Sequence, residues 1–143
     1  MNHLTTKRRQ HGMTLLELMA VVMVIGVLGM IAIPSYRQYV MRAQRAEAKT
    51  ALMRLQVNQE RFYLQNRIYS NDPIALGFPG SNSERGTYAL TIDSANLAAG
   101  YTATAAPRAG GAYDMQNDEE CATFTIDALG VRTATGTGAA RCW

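Results

Sequence analysis

From Leu18 to Ile33 the chain carries sixteen residues without a charge, and Met13, Leu15 and Leu16 extend the apolar run outward past one carboxylate, Glu17. A helix rises ~1.5 Å per residue, so about 20 residues cross the ~30 Å of bilayer hydrocarbon, and the stretch from Met13 to Ile33 has that length. Lys7, Arg8 and Arg9 precede it, with no acid in the first twelve residues. Positive flanks stay on the cytoplasmic side, which directs the rest of the chain outward.

Two features set this stretch apart from an ordinary anchor. An ionised carboxylate within a bilayer is costly, and Glu17 therefore calls for a partner. A secretory signal would place its cleavage site after the apolar core, whereas the abrupt boundary here, Gly12 to Met13, lies before it. Cutting after Gly12 would keep the helix and create an α-amine at Met13, one helical turn before Glu17. The amine and the carboxylate can then neutralise each other, within one chain or between neighbours. Two local alternatives stand beside this: Glu17 at the positive end of the helix dipole, and Pro34 as a simple exit from the membrane. Gly26 and Gly29 do not make a GxxxG packing motif.

The run KRRQHGMTLLELMAVVMVIGVLGMIAIPSY resembles the class III signal of type IV pilins and type II secretion pseudopilins. The resemblance implies a prepilin peptidase that cuts after Gly12 and methylates Met13. It also implies pairing of Glu17 with a neighbour's N-terminus during assembly, and a helix bent or locally melted at Pro34. Met13 stands where many members begin with Phe. Further along, ERFYLQNRIYS, YALTI, DEECATFTIDALGVRTATG and the terminal CW resemble minor pilins of the PilE type.

Charge bounds the remainder. The formal +3 is accounted for by Lys7, Arg8 and Arg9, and removal of residues 1–12 would leave eleven basic and eleven acidic residues. Met13 to Arg67 carries seven basic and three acidic residues, and Ile68 to Trp143 four and eight. Such asymmetry can align subunits head to tail, or be solvated. Both histidines, His3 and His11, lie before Gly12, and the cysteines are Cys121 and Cys142. The usual constituents of a Cys/His zinc site and of a Ser-His or Cys-His catalytic arrangement are thus missing beyond Gly12, and no GxGxxG, P-loop or HExxH run occurs. The expectation is a protein that is not an enzyme and has no cofactor and no metal.

After Pro34, residues 35–66 hold neither Gly nor Pro. Ala48, Ala51, Leu52, Leu55, Gln59 and Phe62 recur at helical spacing, predicting an amphipathic helix from about Ser35 to about Gln65. Arg37, Arg42, Arg45, Lys49 and Arg54 fall on its polar side as a solvated face, those nearest Pro34 within reach of anionic headgroups. Ser70 to Gly86 reads as a loop that wraps across the helix and tucks in Ile74, Leu76 and Phe78. Strand patterns follow with apolar faces Tyr88/Leu90/Ile92, Tyr101/Ala103/Ala105 and Ala122/Phe124/Ile126, then VRTATG. The expected fold class is α+β, the type IV pilin fold: a long N-terminal helix packed on an antiparallel sheet of about four strands. The domain reading is 1–12 leader (removed), 13–34 transmembrane and assembly helix, 35–66 its amphipathic continuation, and 67–143 loop plus sheet with a C-terminal disulfide loop.

Cys121 and Cys142 are expected to form that disulfide, as an exported pair closing a ~20-residue loop and as the family implies. Asp114, Asp118, Glu119 and Glu120 supply oxygen ligands of the kind calcium takes but lack the spacing of a recognised calcium loop, and an ordinary acidic turn is the simpler reading. Arg108, Arg132 and Arg141, with Tyr113, are candidates for the basic DNA-binding patch that competence pilins carry. The resemblance implies a minor pilin, with a type II secretion pseudopilin or a DNA-binding competence pilin as alternatives. The implied partners are other pilin subunits, the prepilin peptidase, the assembly platform in the inner membrane, and lipid before assembly. The implied location is the bacterial inner membrane, N-terminus cytoplasmic, then the fibre.

Overall fold

A computed structural model describes residues 13–110 and 115–143. Its elements, in chain order, are one helix α1 (Leu15–Asn66) and four strands, β1 (Tyr88–Asp93), β2 (Thr102–Pro107), β3 (Thr123–Asp127) and β4 (Arg132–Thr135). Short 3-10 turns occupy Met115–Asn117 and Ala139–Arg141. The chain divides into two compact units, Met1–Gln38 and Tyr39–Trp143.

In the first unit, the helix is apolar on every side, and its large apolar side chains from Leu15 to Ile33 are all exposed. Such a surface is matched to lipid or to other helices rather than to water. Helix α1 continues through Pro34, so the proline is not its end. Lacking an N–H, Pro34 cannot donate to the carbonyl of Met30, which removes one rung of the ladder.

The second unit is built on the apolar stripe foreseen from the spacing. Ala48, Ala51, Leu52, Leu55 and Gln59 are buried, and Phe62 is half-buried against the same core. The strands form a meander in the order β1-β2-β3-β4, antiparallel throughout. Tyr88, Leu90, Ile92, Ala103, Ala105, Phe124 and Ile126 are buried, one apolar face per strand. Tyr101 lies just before β2 and is still buried, whereas Ala122 lies just before β3 and is only half-buried. Buried Gln59 is tolerated because its amide closes two bonds with Ser70, donating to the carbonyl at 2.6 Å and accepting the N–H at 2.9 Å.

Between helix and sheet, Leu76 and Phe78 enter the core as expected, but Ile74 is 63% exposed. The reason is local: Asp72 Oδ1 accepts the Ile74 N–H at 2.9 Å, and the resulting turn buries Pro73 and carries Ile74 outward.

Candidate functional site

The helix start is built by its own sequence. The Thr14 hydroxyl accepts the backbone N–H of Glu17 at 3.2 Å, and the Thr14 carbonyl accepts that of Leu18, also at 3.2 Å. Thr14 is thus the N-cap, and Thr14-Leu15-Leu16-Glu17 has the T-x-x-E spacing of a capping box. Reading Glu17 against Met13 alone passed over Thr14, although this spacing would have found it. The arrangement places Glu17 in the first turn, where a carboxylate interacts favourably with the helix dipole. Met13 immediately precedes the cap. Gly12 lies outside the described residues.

The acidic segment proves to be structural in part. Arg45 is not a solvated cation, which corrects the reading of the basic face. Its Nε and Nη2 donate to the two oxygens of Asp118 at 2.7 and 2.6 Å, and Nη2 also donates to Glu120 at 3.0 Å. The Asp118 side chain is 1% exposed and that of Arg45 13%. Hydrogen bonding to Asp118, with a smaller contribution from Glu120, raises the Arg45 pKa against the opposing effect of burial. Asp118 Oδ1 also accepts the Cys121 N–H at 3.2 Å. These bonds tie the helix to the segment beside the disulfide, and they commit Asp118 to a cation of the chain itself. Asp114 lies outside the described residues, and among those described no group of three acidic, His or Cys side chains is placed to hold a metal.

Cys121 and Cys142 form the disulfide, with Cα atoms 5.8 Å apart. The loop it closes is seated by backbone bonds from Thr137 to Glu119 at 2.9 Å and from Gly138 to Glu120 at 3.0 Å. Trp143 packs edge-on against Phe124 at 5.9 Å and donates its indole N–H to the Thr133 carbonyl at 2.6 Å.

The three candidate arginines are not gathered into one cluster. Arg108 is exposed, follows β2 and donates its N–H to Thr87 at 2.9 Å. Arg132 opens β4 with its guanidinium 5.5 Å from the Trp143 ring. In an antiparallel sheet the end of β2 and the start of β4 lie at opposite ends, and the two strands are separated by β3. Arg141 ends the turn before Cys142 and is exposed. Tyr113 lies outside the described residues.

The chain matches known families from residue 7 to residue 125. The family profile described as "Type IV minor pilin ComP, DNA uptake sequence receptor" covers residues 34–125, and that described as "Prokaryotic N-terminal methylation motif" covers residues 7–33. The type IV major pilin protein PilE of Neisseria gonorrhoeae is 33% identical over 87 residues, 61% of this chain and 52% of the relative. The type IV major pilin protein PilA of Myxococcus xanthus (strain DK1622) is 33% identical over 83 residues, 58% of this chain and 38% of the relative. The chain therefore spans about half the length of the first of these curated relatives and less of the second. Among solved structures, the non-core minor pilin PilV of Neisseria meningitidis shares the fold with a TM-score of 0.51 at 23% identity, over 69% of this chain and 90% of that one. With the minor-pilin profile spanning well over half of its length and the methylation motif filling the stretch before it, the chain belongs to the type IV pilin family, among the minor pilins.

Proposed function

We propose that this protein is a minor structural subunit of a type IV pilus, inserted in the inner membrane with its N-terminus cytoplasmic and drawn from there into the fibre. The observation that carries the reading is the capped start of α1, with Met13 just before the cap, Glu17 in the first turn and an apolar surface exposed behind it. Prepilin peptidase would cut after Gly12 and methylate Met13, and the assembly platform would then stack the helices of neighbouring pilins. In a bundle of apolar helices an unpaired carboxylate is costly, so pairing of Glu17 with a neighbour's Met13 amine sets the register of each new subunit. Pro34, with its missing rung, gives the helix a point of adjustment during that stacking. No step of this role requires catalysis by the chain.

The test is Glu17→Ala in cells with an active peptidase. Intact mass should still show loss of residues 1–12 and a methylated Met13, while the variant disappears from purified fibres. Normal abundance of the variant in fibres would refute the pairing role. A second reading, DNA uptake, is favoured by the ComP profile match. It requires salt-sensitive duplex binding that falls in Arg108→Ala, and the separation of Arg108 from Arg132 means the two would not act as one patch.

A further inference from the structure

At the end of the sheet opposite Arg108, an open groove of about 600 Å³ lies between the β1–β2 connection and the β3–β4 turn. The register sets Asp93 opposite Thr102 and Thr102 opposite Asp127, so these three side chains leave the same face of the sheet. That face is the one turned away from the core, because Ile92, Ala103 and Ile126, the adjacent row, are buried. Asp127 Oδ1 accepts the N–H groups of Leu129 and Val131 at 2.9 and 2.8 Å. The turn is further closed by the Gly130 N–H bonding to the Asp127 carbonyl at 3.0 Å. On this fixed turn Leu129 stands 89% exposed, more than any other large apolar side chain among the described residues. Asn96, whose Oδ1 is used by the Ala98 N–H at 3.0 Å, lines the opposite wall.

The groove continues onto an uncharged surface. Two residues along each strand, on the same outward face, Thr91, Thr104, Thr125 and Thr133 stand opposite one another across all four strands. Each adds a hydroxyl and a methyl at intervals of ~4.8 Å. This chemistry selects among ligand classes. Two carboxylates on one row repel phosphate and sulfate polymers. A groove this shallow and open does not enclose an apolar molecule. A chain of neutral sugars matches it, with hydroxyls that donate to carboxylates in charge-assisted bonds and C–H faces that lie on Leu129 and the threonine methyls.

We propose that this groove, with the threonine row beside it, binds a neutral, hydroxyl-rich glycan chain, with Asp93, Asn96, Thr102 and Asp127 as polar contacts and Leu129 as the apolar lip. The site does not depend on the assembly role, and its test leaves Glu17 intact. Full-length protein in phospholipid nanodiscs, free of glycoside detergents, is titrated with cellohexaose and chitohexaose by calorimetry and saturation-transfer NMR. Duplex DNA and a heparin oligosaccharide serve as anionic competitors. The expected result is binding of a neutral probe that weakens about tenfold or more in Asp93→Asn combined with Asn96→Ala, is unchanged in Glu119→Gln, and is not displaced by the anionic polymers. Asp127→Asn, which keeps the Oδ1 acceptor of the turn, should weaken binding without unfolding it. Absence of binding by both neutral probes, unchanged affinity in the Asp93/Asn96 variant, or displacement by DNA or heparin would each overturn the proposal.

Discussion

Asp118→Ala removes two of the three acceptors of the Arg45 guanidinium, a side chain 13% exposed, at contacts of 2.7 and 2.6 Å. Breaking a buried pair at one partner costs about 3–5 kcal/mol, because the remaining charge is left in a medium that solvates it poorly. Two features of this site place the cost at the lower end: Arg45 retains Glu120 at 3.0 Å and some contact with water. The lost acceptor for the Cys121 N–H adds about 1 kcal/mol. A total of about 4 kcal/mol, at 4–8 °C per kcal/mol for a unit of about 100 residues, lowers Tm by roughly 16–32 °C. Thermal unfolding followed by near-ultraviolet circular dichroism, with the disulfide intact, measures it. Asp118→Asn keeps an oxygen for Cys121 and should cost less. Glu120→Gln, whose partner bond is single and largely in water, should cost under about 1 kcal/mol. A shift below about 3 °C for Asp118→Ala, or an equal shift for Glu120→Gln, would refute the view that Asp118 carries the clamp.

Other outcomes follow from the same geometry. Gly136→Ala should destabilise by more than about 3 kcal/mol or prevent folding, since its φ of 125° disfavours a side chain and an added Cβ would lie 2.4 Å from the Glu120 carbonyl oxygen; Gly26→Ala, with open space around it, should be silent in the same melt. Reduction of Cys121–Cys142, which are 21 positions apart, should cost about 3 kcal/mol and be read as faster proteolysis of the C-terminal segment. Burial raises the pKa of both Tyr88 and Tyr101 above the ordinary 10, so the folded state holds their protons where the unfolded state releases them. Their contribution is complete below pH 10 and is lost as pH rises beyond it; Tyr88→Phe with Tyr101→Phe should flatten that alkaline decline in urea titrations.

The legibility of this chain in its sequence follows the range of each interaction. The methylation motif over residues 7–33 was readable because its meaning lies in spacing along one continuous stretch of chain. The core stripe from Ala48 to Gln59 and the strand faces were readable because burial repeats with the period of the element. Arg45 was misassigned for the opposite reason. On the helix it has the company of Arg42 and Lys49, and nothing nearby in sequence reveals an acceptor 73 positions away. Ile74 failed differently: its hydrophobicity predicted burial, but the Asp72 turn decided its direction through one backbone bond. Hydropathy gives the tendency of a residue, and in a loop a single side-chain acceptor outweighs it.

The groove shows where the limit falls. Asp93, Thr102 and Asp127 are scattered over three strands, and their alignment exists only once the register is fixed. A shift of one residue in either pairing would send one of them to the core face and dissolve the row. That register is held from the buried side, by Ile92, Ala103 and Ile126, whose size and order are set by packing against the helix. The outward row thus inherits its precision from residues that never meet a ligand. The same holds for Leu129, whose exposure is fixed by Asp127 and Gly130 rather than by any contact of its own. A surface feature positioned by the core can vary in chemistry without loss of the fold, which is why a binding specificity can be carried on this sheet independently of the helix that defines the family.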